Sequence, residues 1–128
     1  MTNITIKWGE PVDFQKAMTT EGGFYEEGLF YITQVFGDKE NSLAVGSSIG
    51  AGTVRQQLKR NSIYWQNFYS GKIMVRFGQV DGDIEKAEAV IIAKQSSIFK
   101  ERLKQPAVDI TDVKVNNTGN YHELPEMI

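Results

Sequence analysis

The sequence predicts a small α/β fold, with a three-stranded, mainly antiparallel sheet flanked by helices and an extra amino-terminal strand. Three segments carry that expectation. Residues 29–36 (LFYITQVF) are dense in aromatic and β-branched side chains, and a polar turn separates them from a return segment at 42–46 (SLAVG). Residues 72–80 (KIMVRFGQV) alternate, with Ile73, Val75 and Phe77 on one face. Residues 84–95 (IEKAEAVIIAKQ) have the composition and spacing of a helix.

Taken in order, Ile4-Thr5-Ile6-Lys7-Trp8 alternates and reads as a short strand stopped by Gly9 and Pro11. Residues 12–19 have room for a helical turn, and the Gly22-Gly23 pair breaks it. The hairpin follows, and then the small-residue loop Ser47 to Gly52. Thr53 is placed to cap a helix running from about Val54 to Phe68, with Gly71 beyond its end. After the third core strand, Asp83 caps the helix that starts at Ile84, and Pro106 ends any broken continuation of it. Asp112 to Val115 reads as one more short strand before an Asn/Gly-rich tail. The expected organisation is an extension over 1–27, a main domain over 28–120 and a tail over 121–128.

Composition narrows the function classes. A chain of 128 residues, 41% hydrophobic and 23% charged, is that of one globular domain with a real core. Without cysteine it has no disulfide framework, thiolate nucleophile or zinc–thiolate site. The start MTNITIKWGEP lacks a signal-peptide pattern, and no apolar run spans a bilayer, so a cytoplasmic protein without membrane contact is expected. The net charge of −2 is unevenly spread. Residues 41–80 contain Arg55, Lys59, Arg60, Lys72 and Arg76 and no Asp or Glu, which marks a candidate basic face for nucleic acid, DNA more than RNA.

The hairpin carries the most specific signal. Its first strand opens Gly28-Leu29-Phe30-Tyr31-Ile32, and its second ends Ala44-Val45-Gly46-Ser47-Ser48. A helix with Arg55, a strand and a helix with Glu88 follow, and Asn116-Asn117-Thr118-Gly119 closes the pattern. This order resembles the GIY-YIG nuclease family. Gly28 and Phe30 stand in the first motif, Ala44 and Gly46 in the second, and Asn117 at the asparagine-containing end.

The resemblance implies a metal-dependent endonuclease that hydrolyses phosphodiester bonds in DNA, of the kind carried by mobile elements or phages. Glu88 would hold Mg²⁺ or Mn²⁺, and Arg55 would contact the scissile phosphate. Lys59, Arg60, Lys72 and Arg76 would line the nucleic-acid path. Arg60 competes with Arg55 for the arginine position. The two lie about 140° apart around a helix, and Arg55 is favoured because it sits nearer the hairpin. Helical spacing puts Glu88 beside Ile84, Ile91 and Ile92, where a carboxylate needs a partner.

Both motif tyrosines are replaced, by Phe30 and Ala44. Tyr31 and Tyr64 are the candidate hydroxyls in their stead, with Tyr69 and His122 as further donors. Tyr31 takes the place of Phe30 only if the strand is shifted or bulged, because neighbouring strand residues face opposite ways. Loss of a general acid–base group costs about 10²–10⁴-fold in rate. The alternative is therefore a catalytically impaired module that binds nucleic acid or a protein. Trp8 and Trp65 read as packing residues, and Lys100, Arg102 and Lys104 as the solvated end of the last helix.

Overall fold

The computed structural model describes residues 2–19, 24, 26–49, 52–104 and 107–128, and the backbone but not the side chain of Phe68. The expected break at Gly22-Gly23, the loop at Gly50-Ala51 and the stop at Pro106 fall outside them. Strand β1 (Thr2–Trp8) leads into β2 (Val12–Asp13) and the short α1 (Phe14–Ala17). The hairpin is β3 (Leu29–Phe36) and β4 (Lys39–Ser47), joined by Gly37-Asp38 with Gly37 at φ +66°. Helices α2 (Val54–Arg60) and α3 (Ser62–Phe68) follow, then β5 (Lys72–Asp81), α4 (Ile84–Gln95), a 3-10 turn over Ser96–Ile98 and β6 (Val113–Gly119).

The fold is mixed α/β, as expected, but among the described residues its sheet has six strands rather than three, in the order β4-β3-β5-β1-β6 with β2 also on β5. The amino-terminal strand is an inner strand, antiparallel to β5 and parallel to β6. Its alternate residues Ile4, Ile6 and Trp8 are buried to 1% exposure or less, so it belongs to the core rather than to an extension. The last strand runs to Gly119 because parallel pairing with β1 supplies a ladder that its Asn/Thr composition does not suggest. The expected helix over 54–68 is two helices, split at Asn61 (φ −115°, ψ 15°).

Both faces of the sheet are covered. Leu29 and Tyr31 of β3 face α4, in one core with Ile4, Trp8, Val90 and Ile91. Phe30 and Ile32 face the other way, in a second core with Phe14, Val54, Leu58 and Trp65. The two-period alternation of one strand thus feeds both cores. The hairpin register slips after Ile32, which pairs with Ala44 while Thr33 pairs with Ser42. The extra residue, Leu43, turns with Ala44 into the second core. Helix α2 starts at a capping box between Thr53 and Gln56, and Asp83 caps α4 through the Lys86 amide. Among the described residues no helix is long and apolar enough to cross a membrane.

The chain covers its own sheet edges. Lys100 and Glu101 donate backbone hydrogen bonds to Ser42 and Leu43 of β4, at 3.0 and 2.9 Å. Beyond β6, Val115 and Ile128 exchange backbone bonds, and Asn117 donates to the Glu126 carbonyl at 2.7 Å. The last residues, read from sequence as a tail, therefore close an edge, and Leu124 is buried in the α4-side core. Asn117 ties these parts together. Its Oδ1 accepts from Trp8 Nε1 at 2.9 Å, and its Nδ2 donates to the Pro125 carbonyl at 2.8 Å. Asn117→Ala leaves the buried Trp8 Nε1 and the part-buried Pro125 carbonyl without their partner, so it should lower the unfolding free energy by about 1–3 kcal/mol in a urea titration.

Candidate functional site

The sheet divides the residues singled out from sequence. Arg55 and Tyr64 sit on α2 and α3, whose buried residues Val54, Leu58 and Trp65 pack against Phe30, Leu43 and Ala44. Tyr31 and Glu88 belong to the opposite face, where α4 packs. The bulge lies after Ile32, too late to rotate Tyr31 toward the side of Phe30. The expected convergence of Arg55 and Glu88 in one cleft is therefore not what the fold builds. Arg55 instead anchors the segment before β3, its amide bonded to the Phe24 carbonyl and its Nε to the Met18 carbonyl, each at 3.1 Å.

On the α4 side, a polar network surrounds Tyr31. Its hydroxyl lies 2.5 Å from Ser42 Oγ, which in turn donates to Glu123 Oε1 at 2.9 Å. Burial pushes the Tyr31 hydroxyl up to about 12, which makes it a proton holder rather than a base at neutral pH. Arg76, 5% exposed, makes a two-pronged pair with Glu40 at 2.5 and 3.2 Å and stands over the Tyr31 ring at 5.8 Å. Thr33 donates to the same carboxylate at 2.7 Å, and His122 Nε2 reaches the Glu40 carbonyl at 3.0 Å. Arg76, expected on the nucleic-acid path, is instead an internal counter-charge, and among the described residues its buried Nε has no hydrogen-bond partner. Lys59, Arg60 and Lys72 are exposed.

Glu88 is half-buried, with the Ser47 side chain close enough to favour its charged form slightly. Burial, assisted by the nearby Glu85, raises its carboxyl above the ordinary glutamate value, so the environment favours its neutral form. Among the described residues, no group of three His, Cys, Asp or Glu side chains is arranged to hold a metal ion. Mg²⁺ is commonly held by one or two carboxylates together with waters and substrate phosphates, so Glu88 alone suits it in number, while α2 with Arg55 packs against the other face of the sheet.

The motif positions themselves open onto a cavity. Phe30 and Ala44 line a hollow of about 280 Å³ together with Asn61, Tyr64, Trp65 and Glu101, and Arg102 and Lys104 complete its wall. The two motif glycines are set by packing. A Cβ on Gly46 would stand 2.4 Å from the Phe30 ring, and one on Gly28 would stand 2.5 Å from the Gly78 carbonyl. Tyr64 of the hollow and Tyr69 beside it both donate to Glu101 Oε1, Tyr64 at 2.5 Å. Trp65 stacks on Tyr69 at 5.8 Å and 17°, and Tyr64 meets Trp65 edge-on at 5.0 Å. The bond to Glu101 raises the Tyr64 hydroxyl, and burial foremost raises that of Tyr69, so both remain protonated donors at neutral pH.

Sequence reasoning missed Glu101, Glu40, Ser42 and Glu123. Glu101 lies among Lys100, Arg102 and Lys104 and reads as solvated. The one signal for it was the aromatic density at 64–69, whose hydroxyls need an acceptor. A scan against protein-family models matches none, and searches of curated proteins and of solved structures find no match to this chain.

The Arg76–Glu40 pair yields a stability prediction. Glu40→Gln strands a buried guanidinium and should cost about 3 kcal/mol, the low end for a broken buried pair because 24% of the Glu40 side chain stays exposed. Arg76 holds the Glu40 carboxyl below its ordinary value when folded. The pair's contribution is therefore complete above the unfolded value and is lost as pH falls through the folded one. Urea titrations should show the gap between wild type and Glu40→Gln at neutral pH closing in acid.

Proposed function

We propose that this chain is a GIY-YIG-derived module that binds nucleic acid without cutting it. The placement of Arg55 and Glu88 on opposite faces of the sheet carries the reading, because phosphodiester hydrolysis needs the phosphate-holding cation and the metal-holding carboxylate on one substrate. The order of hairpin, helix pair, antiparallel strand and helix supports descent from that family. Retained binding is supported by charge. Lys59 and Arg60 end α2 immediately before Asn61, which lines the cavity, and Arg102 and Lys104 stand on its other wall.

Binding by such a surface is electrostatic and salt-sensitive. If about three phosphates are neutralised, affinity for a labelled single strand should fall about twenty-fold between about 50 and about 200 mM salt. Lys59→Glu with Arg60→Glu should weaken binding at least about tenfold and flatten that slope, as read by fluorescence anisotropy. Unchanged affinity in the double variant would remove α2 from the interface.

A second reading, hydrolysis, draws on one observation: Tyr64 lines the same cavity as Phe30 and Ala44, where the family has its tyrosines. Supercoiled plasmid incubated with Mg²⁺ or Mn²⁺ separates the two. The binding reading expects intact plasmid; nicking that disappears in Glu88→Ala would replace it with an endonuclease.

A further inference from the structure

The cavity beside the motif strands has features that a duplex-binding surface does not need. It is concave, while a paired base is held inside its stack and presents only an edge. It is walled by the rings of Phe30, Tyr64 and Trp65, and Tyr64 keeps 41% of its surface exposed. At about 280 Å³ it lies just below the range of drug-sized sites, a volume suited to one heterocycle and part of its sugar.

Glu101 supplies the polar content. Two tyrosine hydroxyls converge on its Oε1, and among the described residues its Oε2 accepts no hydrogen bond. The carboxylate is thus fixed in orientation by rigid rings, with acceptor capacity left over. An ionised carboxylate accepts only, so it selects a donor-bearing partner. Among nucleobases the fullest match is an exocyclic amine, on cytosine, adenine or guanine, whereas thymine and uracil offer only a ring N–H set between two carbonyls that a carboxylate repels. Arg102 and Lys104 on the wall give the site the charge that a phosphodiester backbone requires.

Resting on the binding function proposed above, we infer that the cavity takes one unpaired, amine-bearing nucleobase of a single strand. Tyr64 is the stacking surface and Glu101 the amine acceptor. The backbone phosphates beside that base lie against Arg102 and Lys104. Selection for single strands over duplexes follows, since entry requires a base free of its partner.

Anisotropy with labelled 12-mers of oligo-dC, oligo-dA and oligo-dT, a mixed-sequence duplex of equal length and the matching oligo-rC tests this. The inference expects single-stranded dC or dA to bind at least about tenfold tighter than the duplex and at least about fivefold tighter than dT. Tyr64→Ala should lose about tenfold on oligo-dC, in the range of one lost base stack. Tyr64→Phe, which keeps the ring and the fold, should lose less. Glu101→Gln should erase the preference for dC over dT, because an amide both donates and accepts. Quenching of Trp65 fluorescence by cytidine monophosphate alone gives a readout independent of the variants. Equal affinity for single strand and duplex, or for dC and dT, overturns the inference and leaves the binding function standing. Failure of every oligonucleotide to bind overturns both. The oligo-rC arm shows whether the sugar matters and leaves the base assignment to the other arms.

Discussion

Strand β3 is the constraint on which the rest of the molecule depends. It lies between β4 and β5, and four successive residues, Leu29 to Ile32, are buried to 7% exposure or less. Their side chains alternate between two cores, so the strand fixes α4 on one side and α2 with α3 on the other. A single-residue shift would exchange the two sets and put Tyr31 where Phe30 packs. The bulge at Leu43 comes one pair too late to do this, and Tyr31 keeps its own hydrogen-bonded surroundings.

That alternation explains which parts of the candidate site were legible in the sequence. Local signals were strong where one residue type has one physical use. Thr53 and Asp83 stand at helix starts, Gly37 in a tight turn, and Ile73, Val75 and Phe77 on one face of a strand. Which face a helix covers is a different kind of fact. It is set by crossover connections between distant segments, and neither α2 nor α4 carries a residue that announces it. The pairing of Arg55 with Glu88 was therefore an expectation about tertiary placement, drawn from residues that report only secondary structure.

Charge patterning was legible in the same partial way. The run without acidic residues does supply exposed Lys59, Arg60 and Lys72. Arg76 escapes it because Glu40, across the hairpin and outside the run, lies within reach in space. The converse holds for Glu101, which sits among cations in sequence but serves two tyrosines, one in α3 and one just beyond its end. Long-range partners of this kind have no periodicity to betray them. The parallel strand β6 was foreshortened for a related reason, since its ladder comes from β1, more than a hundred residues away.

The self-covered edges of the sheet have an evolutionary side. With segments 100–101 laid on β4 and 126–128 on β6, the backbone offers little template for another chain to extend by strand addition. Recognition is left to protruding groups on the helices and around the hollow, which can change one at a time without unsettling the ladder. A scaffold arranged this way can exchange one surface chemistry for another while its framework stays intact.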